Sequence, residues 1–183
     1  TIEEKTRLSN LVHKHPEMLQ DDDETLKNIS QWYLWAKNSG YEHYEVSNFA
    51  IPQFQSKHNT SYWTQKNYIG IGPSAHSYIH PYRLWNTSSL RNYNSIIEND
   101  NLDFQYEILN EKNIFNEYIM TRLRLKEGID LTDLTNRFNK KIVQYFIDQS
   151  DKVPKEFIIK TDGEIYLTEE GWLIMDRILL DLF

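Results

Sequence analysis

The chain has 183 residues, no cysteine, a formal net charge of -7 at pH 7 and a pI near 5.4. This length suits one domain or one and a half, and it is sufficient to bury a hydrophobic core. The acidic balance argues against non-specific binding to nucleic acids, which requires a basic surface. Without cysteine the chain has no disulfide and no thiolate ligand, and without eighteen consecutive apolar residues it has no membrane-spanning segment.

The first forty residues predict one helix. Residues 1–20 have no clear period, and the pair His15-Pro16 disfavours a helix there, so this stretch is expected to be a connecting segment. A helix is predicted from Asp22 to Ser39, and Gly40 ends it. The alternating residues Tyr41–Ser47 then predict a strand.

A helix followed directly by a strand is typical of an α/β repeat. The partner strand would precede Thr1, so the N-terminal part is expected to be the tail of an α/β domain whose beginning is missing. The strand at Tyr41–Ser47 would then have an exposed edge, which makes a homodimer through this edge a candidate.

The stretch from Tyr41 to His80 has the composition of a lined cavity. It has only four charged side chains, yet it holds four of the six histidines and eight aromatic residues. Residues 48–61 are predicted to form a long loop of the kind that carries function. Residues 74–79 follow Pro73, which stands at a possible first helical position.

Two glycines interrupt the apolar run in this stretch. The string Gly70-Ile71-Gly72-Pro73-Ser74-Ala75 fits a dinucleotide-binding pattern, but Pro73 lies inside the turn and no acidic residue follows before Glu98. Gly70 and Gly72 are better explained by tight packing or by close approach of the backbone to a ligand.

Three histidines are candidate metal ligands. His76 and His80 are four residues apart and would share one face of a helix, with His58 as a third ligand. Pro81 follows at once, which favours a structural or hydrogen-bonding role for His76 and His80. In the segment His58-Asn59-Thr60-Ser61-Tyr62-Trp63, a neutral imidazole could bind iron and the aromatic rings could pack on a flat macrocycle. The alternative is that His58 and Asn59 only cap turns.

The remainder of the chain predicts a linker and a helical module. Residues 81–104 are expected to be a linker with one short helix that begins at Ser88 or Ser89. From residue 105 onward we predict three helices, a hairpin at residues 157–167 and a last helix that Thr168 caps, which together make a winged-helix-like domain. Because acidic residues outnumber basic ones here, packing or docking is favoured over DNA binding.

Five separated strings carry a resemblance to a known family. They are YEHYEVSNFA, HNTSYW with its H-N-x-x-Y-W pattern, YIGIGPSAHSYI, LRLKEGIDL and YLTEEGW. In this order they resemble the oxygen-independent coproporphyrinogen III oxidase-like radical SAM proteins, and more narrowly their HemW-type heme chaperone branch. The resemblance covers essentially the whole chain. It departs at Ser74, where the family usually has glycine.

The resemblance implies a fold class and cofactors. The family has a partial (β/α) barrel that holds S-adenosylmethionine and a 4Fe-4S cluster, followed by a helical C-terminal domain. The chain is thus expected to be α/β, a barrel remnant at residues 1–80, then the linker at 81–104 and the winged-helix-like domain at 105–183. The family binds its cluster through a C-x3-C-x2-C motif, so this cysteine-free chain is expected to be a fragment without radical chemistry.

The resemblance also implies site residues and a function. His58 is the candidate ligand of heme iron, framed by Asn59, Tyr62 and Trp63. The last barrel strand would carry a second group at its C-terminal end, where barrels place their sites, formed by Glu45, Ser47 and Asn48.

The expected function is heme binding and delivery to a recipient hemoprotein in the cytoplasm. One alternative is oxidative decarboxylation of coproporphyrinogen III to protoporphyrinogen IX in porphyrin biosynthesis. The other is a non-catalytic regulatory module that rests on the winged-helix-like tail.

Overall fold

The computed structural model describes residues 2–19, 21–101 and 104–183. The N-terminal half has four α-helices, one 3-10 helix (Pro16–Met18) and five strands in these ranges: α1 (Arg7–Lys14), α2 (Asp22–Asn38), β1 (Glu42–Glu45), β2 (Asn48–Ala50), α3 (Lys57–Trp63), β3 (His76–Ile79), β4 (Tyr82–Asn86), α4 (Leu90–Glu98) and β5 (Phe104–Ile108). The following elements are α5 (Glu111–Arg122), β6 (Ile129–Asp130), α6 (Leu131–Arg137), α7 (Lys140–Ser150), β7 (Ile158–Lys160), β8 (Glu164–Leu167), α8 (Glu169–Leu173) and α9 (Met175–Leu182).

The predicted connecting segment at the N-terminus contains a helix. The side chain of Thr6 accepts a hydrogen bond from the backbone N–H of Ser9 at 3.1 Å, which caps the first turn of α1. The helix ends at His15, before Pro16, so the proline stops α1 rather than preventing it. Thr1 and Gln20, the two ends of the predicted segment, lie outside the described residues.

The prediction for α2 is confirmed, and Gly40 follows it with a φ of 83°. This left-handed conformation is easy for glycine, and it turns the chain into β1. The described residues contain no helix that is long and apolar enough to cross a membrane.

The strand β1 belongs to an antiparallel hairpin. It pairs with β2 in the register Glu42 with Ala50 and His43 with Phe49. The buried carboxylate of Glu45 closes the hairpin, because it accepts hydrogen bonds from the backbone N–H of Ser47 and from the side-chain amide of Asn48. The prediction of one loop over residues 48–61 is therefore wrong, since β2 and most of α3 lie there.

The second edge of β1 is also covered. The backbone N–H of Val46 donates to the carbonyl of Arg124 at 2.9 Å, and the N–H of Lys126 donates to the carbonyl of Tyr44 at 3.1 Å. The expected exposed edge is thus wrong, and the structure gives no support to a homodimer through it. In the described residues β1 has only antiparallel neighbours, so its place in a parallel barrel stays a prediction.

The strands β3, β4 and β5 form an antiparallel sheet in that order. The prediction of a helix over residues 74–79 is wrong, because His76–Ile79 pairs with β4 instead. The predicted helix in the linker is confirmed as α4, and Ser89 caps it. The strands β4 and β5, which flank α4, were not predicted. Their sheet with β3 crosses both predicted domain boundaries, at residues 80/81 and 104/105. The division into three parts stays a prediction; Leu102 and Asp103 lie outside the described residues.

The C-terminal part holds the main hydrophobic core. Helices α5, α6 and α7 pack with α8, α9 and a three-stranded antiparallel sheet of order β6-β8-β7 around buried side chains from Phe115 to Leu182. Asparagine, aspartate and threonine side chains cap these helices, at Asn110, Asp130, Asn139 and Thr168, and the Thr168 cap is the one that the sequence predicts. The predicted last helix is divided at Ile174 into α8 and α9. The more specific winged-helix assignment stays a prediction.

An imidazole connects the β1–β2 hairpin to this core. The ring of His43 lies within 4.5 Å, centroid to centroid, of the rings of Tyr33 in α2, Phe49 in β2 and Trp172 in α8. Its side chain is 5% exposed, and its Nδ1 is 3.8 Å from a carboxylate oxygen of Glu169. Burial lowers the pKa of His43 below its ordinary value of 6.5, although the Val46 backbone and the charge of Glu169 oppose this shift.

Gly171 should tolerate no side chain. A Cβ at this position would be 2.1 Å from the backbone carbonyl oxygen of Phe157, whereas a Cβ at Gly163 meets nothing within 4 Å. We expect Gly171→Ala to lower the free energy of unfolding by about 2 kcal/mol or more, because backbone must move. Gly163→Ala should be close to neutral. Urea unfolding followed by circular dichroism measures both, and equal effects of the two substitutions would contradict the packing of α8 against residue 157.

Acid should weaken the contact at His43. Because the pKa of this imidazole is lowered in the folded chain, the unfolded chain binds the proton more readily, and stability falls as pH drops below about 6.5. Between about pH 7.5 and 5.5 the wild-type chain should lose more unfolding free energy than His43→Phe, which keeps a flat ring and cannot titrate. His13→Phe, at an exposed histidine, is the control. If the unfolding free energies of the wild type and His43→Phe change with pH in parallel, the lowered pKa of His43 is refuted.

Candidate functional site

The segment His58–Trp63 lies on α3. The hydroxyl of Ser56 accepts a hydrogen bond from the backbone N–H of Asn59 at 3.2 Å, so Ser56 caps the helix. Residues four apart share one face of a helix. His58 and Tyr62 therefore lie on one face, and Asn59 and Trp63 on another.

The imidazole of His58 is available for a ligand. The residue is exposed, and neither ring nitrogen has a hydrogen bond within the described part of the chain. Its protein contact is with the ring of Tyr62, at a centroid distance of 4.8 Å and an interplanar angle of 85°. Tyr62 in turn contacts the ring of Tyr68 at 4.6 Å. Two tyrosine rings thus support an imidazole whose nitrogens remain free.

Trp63 attaches α3 to the C-terminal part. The guanidinium of Arg124 lies 4.7 Å from the centroid of the Trp63 ring, a cation–π distance. The Trp63 Nε1 and the Arg124 Nε are both buried without a hydrogen bond in the described structure. The contact is therefore made by the guanidinium plane and the face of the indole ring, not by a hydrogen bond. Arg124 also offers its carbonyl to β1, and one residue therefore contacts both the hairpin and α3.

A cavity of about 320 Å³ lies at the hairpin and a smaller one, of about 280 Å³, lies beside α3. The smaller cavity is lined by Tyr62, Trp63, Tyr68, Tyr78, Arg83 and Glu117, among others. Its volume is just below the range of ordinary small-molecule sites, which is about 300–1,000 Å³, and His58 is not one of its lining residues.

The charge in the smaller cavity is already balanced. Arg83 donates to Glu107 at 3.0 Å and also to Glu117. Burial would lower the pKa of Arg83, but the hydrogen bond and charge of Glu117 outweigh it and raise that pKa above its ordinary value. Burial raises the pKa of the Tyr68 and Tyr78 phenols as well. These groups keep fixed protonation states near neutral pH.

The second predicted group forms a turn. Glu45, Ser47 and Asn48 are brought together, but they hydrogen-bond to one another, and Glu45 has no exposed surface. In the described structure these side chains close the β1–β2 hairpin. Their assignment to the mouth of a barrel stays a prediction.

Gly70 lies close against β3, and Gly72 is hydrogen-bonded to α4. Gly70 donates to the hydroxyl of Ser77 at 3.0 Å, and a Cβ on it would be 2.1 Å from the carbonyl oxygen of His76. Gly72 has a φ of 113° and donates to the hydroxyl of Tyr93 at 3.0 Å. Tight packing explains Gly70, whereas a Cβ at Gly72 would meet nothing within 4 Å and the positive φ accounts for the glycine there. The next element is the strand β3, not the helix that a dinucleotide site would require.

His76 and His80 are separated by the length of β3. At roughly 3.3 Å per residue they are about 13 Å apart, too far to hold one ion. His76 stacks on Trp85 at a centroid distance of 6.1 Å, and the backbone N–H of His80 donates to the Asn67 side chain at 3.1 Å. The described residues contain no group of three or more histidine and acidic side chains placed to hold a metal ion. These observations favour the structural role.

Sequence reasoning missed the role of Arg124 and of His43. Both act through partners far away in the chain, Trp63 for the arginine and Trp172 for the histidine, so no local spacing reveals them. The alternation of Tyr41–Ser47 could have indicated that His43 and Glu45 share the inward face.

The residues of this chain fit heme, but they do not fit a 4Fe-4S cluster. An exposed histidine with unbonded ring nitrogens is sufficient to supply an axial ligand to heme iron. A 4Fe-4S cluster needs cysteine thiolates, and this chain has none. The chain itself therefore cannot hold the cluster.

Comparison with known proteins identifies relatives over most of the chain. Residues 109–174 match the family described as HemN C-terminal domain. The heme chaperone HemW of Lactococcus lactis is 31% identical over 153 residues, which cover 81% of this chain and 40% of the relative. The heme chaperone HemW of Bacillus subtilis is 26% identical over 180 residues, which cover 97% of this chain and 47% of the relative.

The fold has a counterpart among solved structures. The Escherichia coli coproporphyrinogen III oxidase HemN, described as a radical SAM enzyme, superposes with a TM-score of 0.67 and 16% identity over 90% of this chain and 42% of its own. This likeness shows the fold alone. The chain spans less than half the length of the relatives it matches. It belongs to the oxygen-independent coproporphyrinogen III oxidase-like family, in its HemW-type branch, and carries the HemN C-terminal domain at residues 109–174.

Proposed function

We propose that this chain is the heme-binding part of a HemW-type protein that delivers heme to a recipient hemoprotein in the cytoplasm. The observation that carries the proposal is the exposed His58 imidazole, whose two nitrogens have no hydrogen bond in the described structure. Two relatives are heme chaperone HemW proteins, which supports it.

The chemistry of the site suits reversible binding. A neutral imidazole is an ordinary axial ligand of heme iron, and an exposed one permits both loading and release. Tyr62 packs edge-on against His58 and limits the ring's rotation. The porphyrin supplies the iron and a large apolar surface, and the chain supplies the ligand and the aromatic support.

The orientation of α3 depends on the HemN C-terminal domain. Arg124, inside the matched range 109–174, stacks on Trp63 at the last turn of α3. The domain would therefore hold the heme-binding helix in position, while His58 itself belongs to the preceding segment. In this proposal Arg124 and Trp63 are positioning residues.

The oxidase alternative is supported by the shared fold with coproporphyrinogen III oxidase. It requires a cluster and S-adenosylmethionine, and this chain has no cysteine for the cluster. If the chain forms part of a protein as long as its relatives, product analysis of that protein with coproporphyrinogen III separates the two functions. Formation of protoporphyrinogen IX would favour the oxidase.

The His58 ligand can be tested by hemin titration. We expect the chain to give the absorption band of histidine-ligated heme, and His58→Ala to lose this band and to bind hemin at least about tenfold more weakly. His13→Ala, at another exposed histidine, should leave the band unchanged, and circular dichroism should show that all three proteins are folded. An unaltered band in His58→Ala would show that another residue ligates the heme iron.

The role of Arg124 can be tested separately. Arg124→Met removes the cation–π contact but keeps most of the side-chain volume, and we expect hemin affinity to fall about two- to fivefold with the ligation band retained. The matched control is Arg122→Met, because Arg122 lies 5.5 Å from the Tyr118 ring, away from α3. A purely structural role for Arg124 would lower stability in urea without changing hemin affinity.

A further inference from the structure

The cavity at the β1–β2 hairpin plays no part in the proposed function. It has a volume of about 320 Å³ and is lined by residues of α2, the hairpin, β8 and α8, together with Lys126. This volume is at the lower end of the range of ordinary small-molecule sites, which is about 300–1,000 Å³. No residue of α3 lines it, so a ligand in this cavity would be separate from a heme bound at His58.

The imidazole of His43 lines this cavity without a partner. Its side chain is 5% exposed, and neither ring nitrogen has a hydrogen bond in the described structure. A carboxylate oxygen of Glu169 lies 3.8 Å from the His43 Nδ1, which is beyond hydrogen-bond distance. Because an unpaired buried polar group is costly, a small polar ligand that supplies the missing hydrogen bond would bind favourably.

The gap between His43 and Glu169 suits an ammonium group. A neutral imidazole carries a proton on one nitrogen and accepts at the other. With the proton on Nε2, Nδ1 and the Glu169 carboxylate are two acceptors, and one ammonium group has three N–H donors for them. Burial, together with the negative charges of Glu169 and Glu45, raises the pKa of the Tyr33 phenol in the same wall. This wall of the cavity therefore favours a cation.

Charged side chains of both signs line the cavity without pairing with each other. The carboxylates are those of Glu42 and Glu169, and the ammonium groups are those of Lys37 and Lys126. In the described structure neither lysine takes part in a salt bridge, and Glu42 accepts a long hydrogen bond, of 3.5 Å, from Gln55. A ligand with one positive and one negative group would complement both pairs, whereas a ligand of a single charge would meet repulsion from one pair.

The rest of the cavity wall is aromatic. The rings of Tyr33, Phe49 and Trp172 lie between 4.2 and 4.5 Å from the His43 ring, centroid to centroid, and all three residues line the cavity. Aromatic side chains pack well against a flat ring, and their faces also attract an ammonium group. The apolar part of the ligand is therefore expected to be a small flat ring.

We infer that this cavity binds a small zwitterion with a flat ring, of the class of the aromatic amino acids. The ammonium group donates to the Nδ1 of His43 and to Glu169. The carboxylate pairs with Lys37 and Lys126, and the ring packs among the aromatic side chains. This second ligand site goes beyond heme binding, because it uses none of the residues around His58. Since both halves of the chain line the cavity, the bound ligand would also strengthen their junction.

Three probes separate the two charges of the ligand. L-Phenylalanine carries both charges, phenethylamine lacks the carboxylate, and 3-phenylpropionate lacks the ammonium group. Because exposed ion pairs are individually weak, isothermal titration calorimetry of the 183-residue chain should show L-phenylalanine binding about three- to fivefold more tightly than either other probe. L-Alanine, which has no ring, should bind more weakly than L-phenylalanine. Equal binding of the three probes, or no binding of L-phenylalanine, would overturn the inference.

Substitutions at the carboxylate and at the imidazole test the ammonium contacts. Glu169→Gln should lose most of the preference for L-phenylalanine over 3-phenylpropionate, and the control Glu170→Gln, at the next exposed carboxylate of α8, should keep it. His43→Phe keeps a flat ring but has no nitrogen, and it should bind L-phenylalanine at least about fivefold more weakly. Circular dichroism should show that all these variants are folded.

Substitution of the two lysines tests the carboxylate contacts. Lys37→Gln/Lys126→Gln should lose most of the preference for L-phenylalanine over phenethylamine. The control Lys140→Gln/Lys141→Gln changes the charge equally, at exposed lysines of α7, and should keep it. Preferences that remain unchanged in both the Glu169 variant and the Lys37/Lys126 variant would contradict the assigned site.

Hemin titration distinguishes failure of this inference from failure of the proposed function. The histidine-ligated band should be unchanged in Glu169→Gln and in Lys37→Gln/Lys126→Gln, because neither variant alters α3. Conversely, His58→Ala should bind L-phenylalanine as the wild-type chain does. A loss of L-phenylalanine binding in His58→Ala would overturn the placement of this ligand at the hairpin.

Discussion

The backbone junction between β1 and residues 124–126 is the contact on which the rest of the arrangement depends. Two hydrogen bonds join Val46 to Arg124 and Lys126 to Tyr44, and they give β1 a partner on the edge that β2 leaves open. An unpaired buried backbone group is costly, so this pairing fixes both the position and the register of the hairpin. The same segment then turns the Arg124 guanidinium onto Trp63.

Side-chain packing strengthens this junction from both sides. His43 is surrounded by aromatic rings from α2, β2 and α8, so it joins three elements at one point. Trp172, one of these rings, also donates its indole N–H to the carbonyl of Leu123 at 2.8 Å. The N-terminal half has few buried side chains of its own, and it is therefore positioned largely by contacts with the core of the C-terminal part.

The candidate heme site depends on this positioning of the N-terminal half by the C-terminal core. A seven-residue helix is too short to be stable alone in water, and α3 keeps its place through the Ser56 cap, the Trp63–Arg124 stack and the Tyr62–Tyr68 contact. These contacts are made by Ser56, Trp63 and Tyr62, and they leave the exposed imidazole of His58 without a hydrogen bond in the described structure. A site on an exposed face of a supported helix can accept and release a large flat ligand without opening a core.

Elements whose signals are local could be predicted from the amino-acid sequence. The α2 helix with Gly40, the capped helices α4, α6 and α7, the hairpin at residues 157–167 and the motif with His58 all follow from residues close together in the chain. That Asn48–Ala50 and His76–Ile79 are strands became evident from the fold, because strand pairing depends on partners elsewhere in the chain. The roles of Arg124 and His43, and the covered edge of β1, likewise required the fold, since each rests on contacts between residues that no periodicity connects.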